Sequence, residues 1–168
     1  PLVASAVIIQ SIFAGLNDSK KLTEKKRVML FDQVCHHAVA WSYATASAQE
    51  IDQLNIRQAT LLAMKRAVLA LSVEPSLVLI DGRDTIDIPM PCRAIIQGDQ
   101  LEQPIMAASI IAKTIRDAMM QSLDALHPHY QFKKHKGYPT SLHQELLKKY
   151  GLSIYHRKTF RPCKLYAQ

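Results

Sequence analysis

Residues 107–120, AASIIAKTIRDAMM, restrict the fold more than any other stretch, because they can be satisfied only as a helix pressed against something apolar. Ile111, Ile115 and Ala118, with Leu123 beyond, recur at helical spacing and form one apolar stripe. Ser109, Lys113 and Asp117 stand at i, i+4 and i+8 and form a polar one. A helix with an inside needs a surface to cover it, and the rest of the chain supplies strands. Residues 77–80, LVLI, are a continuous apolar run of strand length that delivers Asp81-Gly82 at its carboxyl end. Residues 2–9 are rich in β-branched and small side chains and read as another buried strand. Residues 40–46 alternate small residues with Trp41, Tyr43 and Thr45, the period-two pattern of a strand with one bulkier face. Residues 93–97 read as a last short strand, closed by Gly98-Asp99.

Helices fall between these strands. Thr23 is placed to cap a helix running to about residue 39, with Val28, Phe31, Cys35 and Ala38 on its apolar face. A short helix is expected over 47–54, and Asn55 caps a longer one with Leu61, Met64, Val68 and Leu71 inward. Pro128 breaks the chain after the long helix, and a basic loop spans 133–139. Thr140 or Ser141 then caps a final helix with Leu142, Leu146 and Tyr150 inward, stopped at Gly151. Alternating strands and helices over 168 residues predict a single α/β domain covering 1–168. The apolar runs are too short to span a bilayer, so no membrane partner is expected. Cys35, Cys92 and Cys163 lie far apart, which fits reduced thiols and a cytoplasmic location.

The net charge of +7 is unevenly placed: residues 127–168 carry nine Lys and Arg against the single acid Glu145. Tyr130, Phe132, Tyr138, Tyr150, Tyr155, Phe160 and Tyr166 are interleaved with them. A basic, aromatic region of this kind suits a phosphate backbone, and a solvated basic surface accounts for the charge equally well. No GxGxxG, Walker or GxSxG motif is present, and His127 and His129 lack further ligands at zinc spacing. Carboxylates remain. Asp81 at a strand end and Asp117 on a polar helix face are oxygen ligands of the sort that Mg²⁺ or Mn²⁺ takes. Each also has a plainer reading, Asp81 as a turn former and Asp117 as the i,i+4 partner of Lys113.

Five segments, GLNDSKKL (15–22), LVLIDG (77–82), AASIIAKTIRD (107–117), HKGYPT (135–140) and HRKTF (156–160), resemble the successive signature blocks of bacterial ribonuclease HII, in family order and nearly end to end. The resemblance implies a ribonuclease H-like fold, a mixed sheet flanked by helices with a helical, basic C-terminal part over about 127–168. It implies an endonuclease acting on RNA–DNA hybrids or ribonucleotide-containing duplex DNA, monomeric, using two Mn²⁺ or Mg²⁺ ions and leaving a 5′ phosphate. By this likeness Asp81 and Asp117 are catalytic metal ligands that face one another. Tyr138 packs on the sugar beside the ribonucleotide, and Asn17, Ser19, Lys20, Lys136, Arg157 and Lys158 contact the substrate backbone. Ser109 and Lys113 support the acid.

The family opens with a strand carrying Asp-Glu and then Gly-Arg-Gly, whereas Pro1-Leu2 resembles the residues just after that turn. The first, central strand and two metal ligands are therefore expected to be missing. Residues 2–15 are shorter than the family's, and Pro104 stands where a glutamate is more typical. With that strand and those ligands missing, neighbouring strands would carry unpaired backbone groups, and the chain by itself is expected to bind metal weakly, to cleave poorly or not at all, and to be prone to aggregate. The alternative is a non-catalytic nucleic-acid-binding remnant.

Overall fold

The computed structural model describes residues 1–11, 15–16 and 22–167; Asn17, Ser19 and Lys20 lie outside the described residues. β1 (Leu2–Ile8) pairs antiparallel with β2 (Ala40–Ala46), Leu2 opposite Ala46 and Ile8 opposite Ala40. The small residues of β2 face inward, and Trp41 and Tyr43 are exposed. β3 (Val78–Asp81) pairs parallel with β4 (Cys92–Ile95).

α1 (Glu24–His37) begins at Thr23, whose hydroxyl accepts the Lys26 N–H at 3.3 Å. It buries Arg27, Leu30 and Val34, one step round from the expected face, and leaves Val28 46% exposed. The rotation follows from Arg27, which turns inward to an acid described below. α2 (Ala48–Leu54) carries a capping box between Ser47 and Glu50. α3 (Ile56–Leu69) meets β1 and β2 through Ala59, Ala63 and Ala67, all fully buried. Of the expected stripe, Val68 is buried, while Leu61, Met64 and Leu71 are only partly buried, because alanines let the helix backbone approach the sheet closely.

α4 (Gly98–Leu101) leads into α5 (Gln103–Leu126), which extends beyond 107–120 at both ends. Pro104 stands in its first turn, where a missing N–H costs nothing. α5 buries Ile105, Met106, Ala107, Ile110, Ile111 and Met120, and with them Asp117. The basic region is helical: α6 (Phe132–His135) occupies part of the expected loop, and α7 (Ser141–Tyr150) is capped by Thr140. α7 turns His143, Leu146 and Leu147 inward and leaves Tyr150 42% exposed, again one step from expectation.

The architecture is the expected α/β arrangement, a small mixed set of strands flanked by helices. Among the described residues the strands form two separate pairs, since β1 and β3 are not bonded to each other. α5 lies against both β1 and β3, and a cleft of about 470 Å³ separates the two strands between α5 and α3. Among the described residues no helix is long and apolar enough to cross a membrane.

Candidate functional site

Because β3 and β4 run parallel, their carboxyl ends lie together, at the end where open α/β sheets receive ligands. Asp81 is the last residue of β3 and is exposed. After β4, Gln97 in the left-handed region (φ 57°) turns the chain into α4. That turn sets Gly98 against Asp81: a Cβ at position 98 would lie 3.5 Å from Asp81 Oδ1 and would overlap Ile105 Cδ1. Asp99 follows and is buried. In the sequence, Gly98-Asp99 only closes the strand read over 93–97. The signal for Asp99 is the one that singled out Asp81, an acid at the end of a strand; it is completed only when the two strands are known to be parallel neighbours.

Asp117 stands elsewhere. Ile105 touches the Gly98 position at the start of α5, and Asp117 lies 12 residues further along the same helix, an axial rise of about 18 Å. The expectation that Asp117 faces Asp81 is therefore not met, because twelve residues of helix carry them apart. Asp117 is instead enclosed by cations. Lys113 Nζ donates to Oδ1 at 2.6 Å, while Arg27 Nη2 and Lys136 Nζ each reach Oδ2 at 3.0 Å. Burial alone pushes the Asp117 carboxyl up, but the bonds from Lys113 and Lys136 outweigh it and hold the group below its ordinary pKa. The i,i+4 pair read from the sequence exists; Arg27, 90 residues away, was invisible at that level. Three positive charges around one negative leave the cluster with a surplus that suits an anion such as a phosphate.

Lys136 connects this cluster to the basic turn. Its backbone φ of 50° and that of Gly137 (81°) are both left-handed, and Tyr138 projects from the turn with 57% of its surface exposed. Arg116 Nη2 donates to the Lys136 carbonyl at 2.9 Å, and the Arg116 guanidinium carbon lies 5.9 Å from the Tyr138 ring centroid. Burial lowers the Arg157 pKa, and the charge of Arg116 adds to it, so the two guanidiniums are neighbours. Arg157 also lies over Phe160, at 5.2 Å. Lys158 is exposed, and its loop is pinned by Asp52, which accepts the N–H groups of Lys158 and Thr159 at 2.7 and 2.9 Å. Ser109 donates to the Met106 carbonyl at 2.8 Å and lines the cleft between β1 and β3.

Residues 1–163 match the family described as Ribonuclease HII. The chain belongs to the ribonuclease HII family. Membership carries ribonuclease H chemistry, metal-dependent hydrolysis of RNA in RNA–DNA hybrids. Solved structures share the fold. The ribonuclease H2 from Pyrococcus horikoshii OT3 is 22% identical, with 91% of this chain and 80% of that one covered and a TM-score of 0.75. The RNase HII in a PCNA complex from Archaeoglobus fulgidus is 19% identical over 88% of this chain and 79% of that one, TM-score 0.71. Bst-RNase HIII in complex with Mn²⁺ is 14% identical over 89% and 56%, TM-score 0.67.

A divalent ion of the kind such enzymes use prefers carboxylate oxygens. Asp81 and Asp99 fit that preference but make only part of a ligand set, and among the described residues no group of three or more His, Cys, Asp or Glu is gathered to hold a metal. Asp117 fits less well, since an ion there would have to displace cations from both oxygens.

Proposed function

We propose that this chain is the body of an endoribonuclease that cuts the RNA strand of RNA–DNA hybrids and cuts at ribonucleotides embedded in duplex DNA. The observation that carries the reading is the meeting of Asp81 with the Gly98-Asp99 turn at the carboxyl end of two parallel strands, in a chain that matches the family over residues 1–163. Asp81 and Asp99 are the side chains that would hold Mg²⁺ or Mn²⁺. When bound, such ions would supply Lewis acidity at the scissile phosphodiester, with two ions the arrangement expected from the family resemblance. Asp117 acts by holding Lys113 and Lys136 in place rather than as a ligand. Those lysines, with Arg157 and Lys158, present positive charge to the nucleic-acid backbone, and Asn17, Ser19 and Lys20 are assigned to the same task. Tyr138 offers a flat ring to a sugar, which senses shape without reading base sequence.

The cleft between β1 and β3 is the place for a further strand. An extended segment there would bond to β1 on one side and β3 on the other, and Asp-Glu at its end would complete the partial ligand set. The same cleft favours a second reading, in which the chain alone binds nucleic acid and does not cut.

The test compares the 168-residue chain with a version extended at its N-terminus by a strand bearing Asp-Glu and Gly-Arg-Gly. Mn²⁺-dependent cleavage is measured on an RNA–DNA hybrid and on a duplex with one ribonucleotide. The extended protein is expected to cut both and the shorter chain to cut slowly. No cleavage by the extended protein rejects the enzyme reading, and equal rates from the two reject the incomplete site.

A further inference from the structure

The turn that presents Tyr138 is held by side chains from three helices. Arg116 of α5 bonds the Lys136 carbonyl, as described. His135, the last residue of α6, accepts the Gly137 N–H on Nδ1 at 3.0 Å, and its Nε2 meets the Tyr130 carbonyl at 2.8 Å. His143 of α7 meets the Tyr138 carbonyl through Nδ1 at 2.9 Å. A carbonyl only accepts, so these contacts fix the protons: on Nε2 of His135 and on Nδ1 of His143. The two rings are neutral and of opposite tautomer. They stack with centroids 4.1 Å apart and planes 7° from parallel, and both residues are buried at 3% exposure. Two imidazolium ions could not stack so closely in a buried place. Burial lowers the pKa of both, consistent with neutral rings.

We infer that His143 is a positioning residue: its Nδ1–H, by holding the Tyr138 carbonyl, fixes the 136–139 turn in the shape that offers Tyr138 to the nucleic-acid sugar. The inference rests on the reading of Tyr138 as a substrate contact. Histidine answers two demands at once here. Phenylalanine would keep the stack on His135 without a donor. Asparagine would keep a donor at the place of Nδ1 without the ring.

That separation supplies the test. The Kd of the full chain for an RNA–DNA hybrid is measured by fluorescence anisotropy at pH 7.5 in EDTA, where no cutting occurs, alongside the melting temperature of each variant. Tyr138→Ala is expected to weaken binding. His143→Phe is expected to weaken it by about tenfold, the scale of one lost buried hydrogen bond, and His143→Asn to bind like the parent protein despite a lower melting temperature. If the Phe variant fails to fold, Arg116→Leu, which removes the donor to the neighbouring carbonyl from another helix, is expected to show the same weakening. Unchanged binding in His143→Phe, or in Arg116→Leu where it stands in, overturns the inference. So does an Asn variant as weak as the Phe variant, which would mean that packing alone matters. Unchanged binding in Tyr138→Ala removes the underlying reading of Tyr138, a result distinct from either.

Discussion

A carboxylate placed as deeply as that of Asp117 keeps its charge only where cations replace the water it has lost. Lys113, Arg27 and Lys136 do so from three different segments, and only the first is a sequence neighbour. Removing one partner of a buried pair leaves the other uncompensated, which typically costs about 3–5 kcal/mol. With two lysines remaining, Arg27→Met is expected to cost less, about 2 kcal/mol, read as a lower denaturation midpoint. Asp117→Asn in the extended protein is expected to lower stability and weaken hybrid binding while Mn²⁺ affinity, measured by calorimetry, stays close to that of the parent. Asp81→Asn and Asp99→Asn are expected to do the reverse, with metal affinity and turnover lost and hybrid binding kept. Mn²⁺ affinity that falls with Asp117→Asn and survives Asp99→Asn would return Asp117 to the metal site.

At the level of elements, the C-terminal helices depend on neutral histidines. Burial lowers the pKa of His156, helped by His143 and His135, to about 4; His135 and His143 are lowered chiefly by burial, with Asp124 pulling His135 the other way. An unfolded histidine titrates near pH 6.5, so between about 6.5 and 4 the unfolded chain binds more protons than the folded one. The stability these rings confer is therefore complete above about pH 6.5 and declines as pH falls through that window. Asp117, with a lowered pKa, adds a loss at still lower pH. Melting temperatures taken from pH 7.5 to 4.5 are expected to fall steadily below 6.5; a flat profile contradicts buried neutral rings. The α4 turn makes a second, separate demand. A Cβ at Gly98 would overlap only the Cδ1 end of the Ile105 side chain and would stand at ordinary contact distance, 3.5 Å, from Asp81 Oδ1, so Gly98→Ala is expected to cost about 1 kcal/mol through overpacking and to leave Mn²⁺ affinity close to that of the parent.

For the whole molecule, the open cleft is the dominant feature. Among the described residues β1 and β3 each bond to one neighbouring strand, and they line the cleft with apolar residues such as Val3, Ile8 and Val78. Unpaired strand edges beside apolar surface invite pairing with other chains. The 168-residue chain is expected to scatter light increasingly with concentration, and the strand-extended protein to suppress this and melt at a higher temperature. Equal scattering by both would show that the added strand does not enter the cleft.

Strand positions, helix starts and the family were legible in the sequence because they follow from local patterns: alternation along 40–46, the LVLI run, the caps at Thr23 and Asn55, and signature blocks in a fixed order. Helix faces were read one step off in α1 and α7, since Arg27 and His143 point inward for partners distant in sequence or unlike an apolar stripe. Asp81 was correctly placed at a strand end, whereas its neighbour Asp99 and the separation of Asp117 emerged only from the tertiary structure. Periodicity reports which side of a helix is apolar, but not which end of it meets a given strand. The cations that surround a carboxylate, and the strand whose carboxyl end lies beside another, are set by packing between segments, and pairwise proximity over 90 residues leaves no mark on local spacing.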